Sequence, residues 1–117
     1  TSLWYQVLDQ GTREGNYIET SGSSMFIYTI AKAARKGYID SALMKAAKKA
    51  YQELVERFIT EDDNGLLSLH AVCKVAGLGG HPYRDGSYEY YISEPVIADD
   101  YKGVGPFIKA SVEIEKA

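Results

Sequence analysis

At 117 residues, 45% hydrophobic and 25% charged, the chain is long enough for one core and gives no case for two domains. A net charge of -3 and a pI near 5.3 exclude the clustered basic footprint that phosphate binding needs, so no nucleic-acid partner is expected. No apolar run approaches the roughly 20 residues of a membrane span, and a single cysteine, Cys73, excludes an internal disulfide.

The chain opens on Thr1-Ser2 with neither Met nor the basic, apolar and small-residue regions of a signal peptide, and it reads as a piece of something larger. Leu3-Trp4-Tyr5-Gln6-Val7-Leu8-Asp9 is a short extended run closed by the turn Gln10-Gly11-Thr12. Arg13 to Tyr17 form a loop that delivers the chain to Glu19. There, Glu19-Thr20-Ser21-Gly22-Ser23-Ser24 precedes a long apolar run, and small hydroxyl residues with a carboxylate are what the unpaired N–H groups of a helix start require. The pattern predicts a start at about Ser21 to Ser23 and a helix over 22–36. Met25, Phe26, Ile27, Tyr28, Ile30, Ala31, Ala33 and Ala34 cover nearly every angle, as in a helix buried on all sides.

The second helix, expected over 41–59 with Asp40 and Ser41 as caps, has the opposite character. Leu43, Met44, Ala47, Tyr51, Leu54 and Phe58 mark one face, while Lys45, Lys48, Lys49, Glu53, Glu56 and Arg57 take the other. The intervening Arg35-Lys36-Gly37 is a helix stop. An inner helix hairpinned to an outer one is the repeating unit of a double-layered helical barrel.

Thr60 to Gly65 is acidic but lacks the spacing of an EF-hand calcium loop. Leu66 to Val75 alternate weakly into the glycine-rich Ala76 to Gly80, so short β or irregular structure is expected over 66–100. His70, Cys73 and His81 lack the paired spacing of a zinc set, and Gly77-x-Gly79-Gly80 lacks the strand-to-helix setting of a dinucleotide fingerprint. No metal or cofactor is expected. Asp85-Gly86 is a turn among Tyr83, Tyr88, Tyr90 and Tyr91; ten Tyr against three Phe suit either a polar cleft or the rim of a core. Asp99-Asp100 before Gly103, Gly105 and Pro106 signals a last helix, over 104–116. The two glycines allow close approach of a neighbouring helix or a ligand.

Four ordered stretches, Leu3 to Asp9, Glu19 to Phe26, Gly86-Ser87-Tyr88-Glu89-Tyr90-Tyr91 and Lys102-Gly103-Val104-Gly105-Pro106-Phe107, resemble the carboxy-terminal part of the unsaturated rhamnogalacturonyl hydrolases, glycoside hydrolase family 105. The resemblance covers essentially all of the chain but about the last third of a family member. It implies an all-α fold with short irregular or β excursions. Residues 1–117 would form a single fragment, the carboxy-terminal hairpins of a six-hairpin α/α barrel. It implies hydration of the double bond of a terminal 4,5-unsaturated galacturonyl residue. An aspartate protonates the vinyl-ether carbon, water adds to its neighbour, and the hemiketal collapses to release the sugar. The family's catalytic aspartates and its Arg-Gly-Asn-Gly-Trp motif lie upstream of anything present here, so no catalytic residue is assigned and the fragment alone is expected to be inactive.

Of the carboxylates near the implied cleft loops, Glu89, Glu94, Asp99 and Asp100, none matches the family's acid, and Asp100 suits the cap of the last helix. Loops at inner-helix N-termini line such a cleft, and the partial positive charge there favours a uronate. The substrate contacts implied are Trp4 as a stacking face, Gln6 to a hydroxyl, and Glu19, Ser23, Lys102, Gly103 and Gly105 at the two helix starts. Each also has an ordinary reading, as caps for Glu19 and Ser23, core for Trp4 and a solvated turn for Lys102. The expected partners are an unsaturated uronyl oligosaccharide and either the remainder of the same barrel or further copies of the chain. The resemblance implies a cytoplasmic location. The alternative function is a non-catalytic helical module that binds carbohydrate or protein.

Overall fold

The computed structural model describes residues 1–117, in which three long helices are joined by short strands and turns. Helix α1 (Thr20–Arg35) starts earlier than expected because its cap is Glu19, whose carboxylate accepts from the backbone N–H of Ser21 and Gly22. The hydroxyl residues Thr20 to Ser24 therefore lie inside the helix. It ends at Lys36, followed by Gly37 at φ 75°, the left-handed position that glycine fills without strain.

Helix α2 (Leu43–Phe58) follows that turn and returns along α1. Asp40 and Ser41 are not its caps. Asp40 Oδ1 accepts from Ala42 N at 2.8 Å, and a tight turn with Leu43 N bonded to Asp40 O comes first, so the cap position falls on Ala42 with no side-chain bond. Ala47, Ala50 and Leu54 are buried and the lysines point outward, as the one-faced pattern predicts.

Helix α4 (Tyr101–Glu115) also starts ahead of its expected first residue, because Asp100 Oδ1 accepts from Lys102 N at 2.9 Å. Pro106 consequently falls inside the helix, where its missing N–H forfeits the bond to the carbonyl four residues back. Helices α1 and α4 run side by side in the same direction. Their starts meet at Cys73, and near their ends Arg35 Nε and Nη2 donate to Glu113 Oε2 and Oε1 at 2.8 and 3.2 Å. Helix α2 packs against both; Tyr51 stacks on Phe107 at 5.8 Å and donates from its hydroxyl to Ser111 Oγ at 2.9 Å.

The core lies between the three helices, with Ile27, Ala50, Leu54 and Ala110 meeting Leu3, Ile18, Leu69 and Val72. The expectation that α1 is buried all round is corrected: Ile27, Ala31 and Ala34 are buried, but Met25 and Phe26 are 43% and 40% exposed. Only two helices pack on α1, which leaves part of its circumference uncovered. None of the helices is long and apolar enough to cross a membrane.

Between α2 and α4 the expected short β structure is present. Strand β1 (Ile59–Glu61) takes over where α2 ends and pairs antiparallel with β2 (Leu67–Leu69), Ile59 facing Leu69. Strand β3 (Val72–Cys73) pairs antiparallel with β4 (Val96–Ile97). The stretch also contains a helix that the sequence reading leaves irregular, α3 (Tyr88–Ser93), capped by Ser87 Oγ accepting from Tyr90 N. At the amino end, a bridge between Tyr5 and Ile18 closes the intervening loop against the same end of the molecule.

Candidate functional site

Strand β3 delivers Cys73 to the point where α1 and α4 begin. The Cys73 N–H donates to Glu19 Oε1 at 3.0 Å, and the Cys73 carbonyl accepts from Lys102 Nζ at 2.7 Å. One residue of a two-residue strand thus holds both helix starts together. Thr20 adds to the joint, its N–H donating to Ala71 O at 2.9 Å and its hydroxyl to His70 O at 2.7 Å. Ala71, at φ 64°, sits in the left-handed region and turns the chain between β2 and β3.

Glu19 is 7% exposed, and its two oxygens accept four hydrogen bonds: from Ser21 N, Ser21 Oγ and Cys73 N on Oε1, and from Gly22 N on Oε2. No basic side chain pairs with it. The helix start and these donors compensate its charge. Ser23 is wholly buried, and its Oγ accepts from Trp4 N at 3.1 Å. Trp4 itself is half-buried, its ring tilted against Phe26 with centroids 5.0 Å apart.

Gln6 reaches the same place from the amino-terminal run; its Nε2 lies 3.4 Å from Cys73 Sγ and 3.5 Å from Tyr91 O. Beside it the Tyr17 hydroxyl is buried and makes no hydrogen bond. Burial first, then the Cys73 thiol and the Glu19 and Glu94 carboxylates, push the ionisation of Tyr17 well above the ordinary phenol range, so it stays a neutral donor. Lys102, at the open side, also approaches Asp100 Oδ1 at 3.2 Å. Asp100 is held below the usual carboxylate range by the Lys102 N–H and then by the Lys102 side chain, which makes it an anion and a poor proton donor.

The sequence-predicted residues therefore divide. Gln6, Glu19 and Lys102 converge on Cys73. Trp4 and Ser23 bond to each other one step away. Gly103 faces the protein: a Cβ there would lie 2.8 Å from Val72 Cγ2, so the close approach it permits is of α4 to β3 and not of two helices. Gly105 has open space around it. Sequence reasoning did not select Tyr17, Cys73 or Tyr91 for the site; the one available signal was the excess of tyrosine.

Next to this cluster is a cleft of about 430 Å³ lined by His81, Pro82, Tyr83, Arg84, Tyr90, Ser93 and Glu94. Tyr90 links it inward, donating to Glu94 Oε1 at 2.9 Å and accepting from Gly77 N at 3.1 Å. No group of three or more His, Cys, Asp or Glu is placed to hold a metal ion. The cleft presents His81, Arg84 and Glu94 beside the exposed Tyr83 and the half-buried Tyr90.

The Glycosyl Hydrolase Family 88 model matches residues 1–117. Two curated relatives, Protein Atu3128 of Agrobacterium fabrum (strain C58) and the 24.9 kDa protein in picA locus of Rhizobium radiobacter, are each 44% identical to the chain. Each match covers 95% of this chain and 50% of the relative, so the chain spans half the length of the curated proteins it matches. Among solved structures, a glycoside hydrolase from family 105 of C. acetobutylicum ATCC 824 superposes with a TM-score of 0.96 at 52% identity, over 98% of this chain and 32% of that one. A possible member of the GH105 family from Salmonella enterica serovar Paratyphi A superposes at 0.66 with 21% identity, over 98% and 27%, a likeness of fold alone.

Proposed function

The chain belongs to glycosyl hydrolase family 88, and we propose from that premise that it forms the carboxy-terminal hairpins of an α/α barrel whose whole protein removes terminal 4,5-unsaturated galacturonyl residues from rhamnogalacturonan fragments. The observation that carries the reading is the 52% identity and TM-score of 0.96 to the C. acetobutylicum family 105 hydrolase. In that barrel α1 and α4 would be inner helices and α2 an outer one.

On this reading Lys102, 40% exposed, attracts the uronate carboxylate, Gln6 meets a hydroxyl and Trp4 offers part of its ring for stacking, while the two helix starts, already filled by Glu19 and Asp100, and the buried Tyr17 hydroxyl lie behind these contacts. Glu19, Ser23 and Gly103 keep these groups in place, and Gly105 leaves room for the ligand beside α4. The proton and the water are supplied by residues outside these 117. General acid catalysis contributes roughly 10²–10⁴-fold, and the anionic Asp100 does not offer it.

The open flank of α4 fits the same reading. Leu67, Leu69, Val104, Phe107 and Ile108 line an apolar groove, and Ile108 and Val112 are 56% and 44% exposed. Helical hairpins of the same polypeptide are its occupant, since the chain covers 32% of the C. acetobutylicum enzyme. Alone, the 117 residues are expected to self-associate; a stable monomer at high dilution in sedimentation contradicts this. The activity test follows the ultraviolet absorbance of the unsaturated uronate. The whole gene product should consume it and the isolated chain should not. Turnover by the isolated chain that disappears in Asp100→Asn or Glu94→Gln would overturn the assignment of the acid.

A further inference from the structure

The groove between α1 and α4, on the side that α2 leaves uncovered, collects hydrogen-bond donors and no free acceptor. Tyr28 of α1 stands between two ammonium groups. Lys32 Nζ donates to the Tyr28 hydroxyl at 2.7 Å, and the Nζ atoms of Lys32 and Lys109 lie 5.1 and 5.9 Å from the centre of the Tyr28 ring. Neither lysine is in an ion pair, and the Tyr28 hydroxyl, having accepted from Lys32, donates to nothing. The carboxylate next to Lys32, Glu113, already gives both oxygens to Arg35 at 2.8 and 3.2 Å. The bond to Tyr28 raises Lys32 above the ordinary lysine range, so it stays charged. Lys32 lies in the last turn of α1, where a cation is favoured for its own sake, but Lys109 is in mid-helix and lacks that reason. The surface around them is apolar: Met25, Ile108 and Val112 are 43%, 56% and 44% exposed.

We propose that a carboxylate carried by a helix of the same polypeptide outside residues 1–117 enters this groove and is held by Lys32, Tyr28 and Lys109; the assignment rests on the barrel proposed above. The chain covers 32% of the C. acetobutylicum enzyme on which it superposes, so further hairpins of that polypeptide are the occupant. Packing them over the apolar surface takes both ammonium groups out of water, which is costly unless an anion enters with them. A carboxylate fits the donors, since its two oxygens accept from both lysines and from the Tyr28 O–H at once. Substrate does not fit the place. Tyr28 and Lys109 each sit eight residues into their helices, about 12 Å from the starts where Lys102 and Gln6 gather. The cluster therefore joins one part of the fold to another beneath the site, and its single missing member is an acid.

The test uses the whole gene product. Lys32→Met combined with Lys109→Met keeps the apolar stems and removes both charges, which strands the facing carboxylate. The unfolding midpoint should fall by about 5 °C or more at pH 8 and by clearly less at pH 5, because a stranded carboxylate is raised in the folded state and takes up a proton as pH falls. The neighbouring Glu113–Arg35 pair keeps its charge over that interval, since Glu113 is lowered and Arg35 raised. Carbodiimide coupling and peptide mapping of the parent should join Lys32 or Lys109 to an Asp or Glu outside residues 1–117. Changing that acid to its amide should lower the midpoint equally at the two pH values. A midpoint of the lysine variant that is unchanged, raised, or lowered equally at both pH values would overturn the proposal, as would coupling to a second copy of residues 1–117. A raised KM for the unsaturated disaccharide at 25 °C would do the same, since the lysines would then hold substrate. Turnover without the pH-dependent loss removes the ion cluster and keeps the reaction. The pH-dependent loss in a protein that consumes no unsaturated uronide keeps the cluster and removes the reaction.

Discussion

Helices α1 and α4 begin at the same end of the molecule behind a carboxylate, yet the two caps are used differently. The Asp100 carboxylate bonds only to Lys102, accepting from its N–H and its ammonium, and the helix it starts is held to β3 by Lys102 and Gly103. Glu19 bonds within its own helix and across to Cys73, some 54 residues away in sequence, so one carboxylate both starts α1 and fixes β3. The difference shows that a cap can be a local device or a tertiary joint with the same residue chemistry. What decides is whether another chain segment brings a donor to its second side.

The largest consequence follows from removing each cap. Glu19→Ala takes away the cap, worth about 1 kcal/mol, and leaves the buried Cys73 N–H without an acceptor, at about 1–3 kcal/mol more. Urea unfolding should therefore show a loss of about 3 kcal/mol, and a clearly smaller loss for Asp100→Ala. Equal losses would mean that the Cys73 bond contributes nothing and that the two caps are equivalent.

Next in size are the two glycines of α4, which separate packing from propensity. A Cβ at Gly103 meets Val72, so Gly103→Val forces α4 off β3 and should cost about 1–3 kcal/mol. At Gly105 a Cβ has open space among the packed segments, but Pro106 follows, and a proline ring disfavours helical backbone in a preceding residue that carries a Cβ. The helix gain of alanine, up to about 1 kcal/mol, is therefore offset by the ring, and Gly105→Ala should move the urea midpoint far less than Gly103→Val. If Gly105 admits the ligand as proposed, the same change weakens binding of the unsaturated uronide in the whole protein.

These pairs also mark how far the sequence carries. The long helices were legible because their apolar positions and stop residues repeat with helical spacing, and Asp100 was legible as a cap because its bond is two residues long. The early start of α1 was not: Glu19 and Ser23 both read as caps beside the hydroxyl of Ser21, and only the structure shows that Glu19 takes that position. Helix α3 was hidden because six residues with four aromatic or β-branched side chains give no period to read. Of the residues gathered around Cys73, Gln6 and Lys102 were suggested by the resemblance, whereas Tyr17 and Cys73 itself join by contacts between segments far apart in sequence. The cleft beside it was invisible for the same reason, since Arg84 folds back on its own loop in a way no spacing rule encodes.

The smallest effect expected is electrostatic, and it sharpens the comparison at both ends of α4. Asp100 is lowered from the ordinary carboxylate range by the Lys102 N–H and then the Lys102 side chain, and Glu113, at the other end, by its bond from Arg35. A carboxylate lowered in the folded state is more often protonated in the unfolded chain, so across that window stability rises with pH. The contribution is complete above the unfolded value near 4 and is lost as pH falls through the folded one. Asp100→Asn and Glu113→Gln should each flatten the acid limb of unfolding free energy against pH while leaving its slope near neutrality unchanged. Salt distinguishes them. The Lys102–Asp100 side chains are 40% and 27% exposed, whereas Glu113 is 5% exposed against Arg35. Added salt, which screens exposed charges most, should therefore erase more of the Asp100 contribution than of the Glu113 one. An acid limb identical in the parent and in both variants would show that neither carboxylate is held as its hydrogen bonds require.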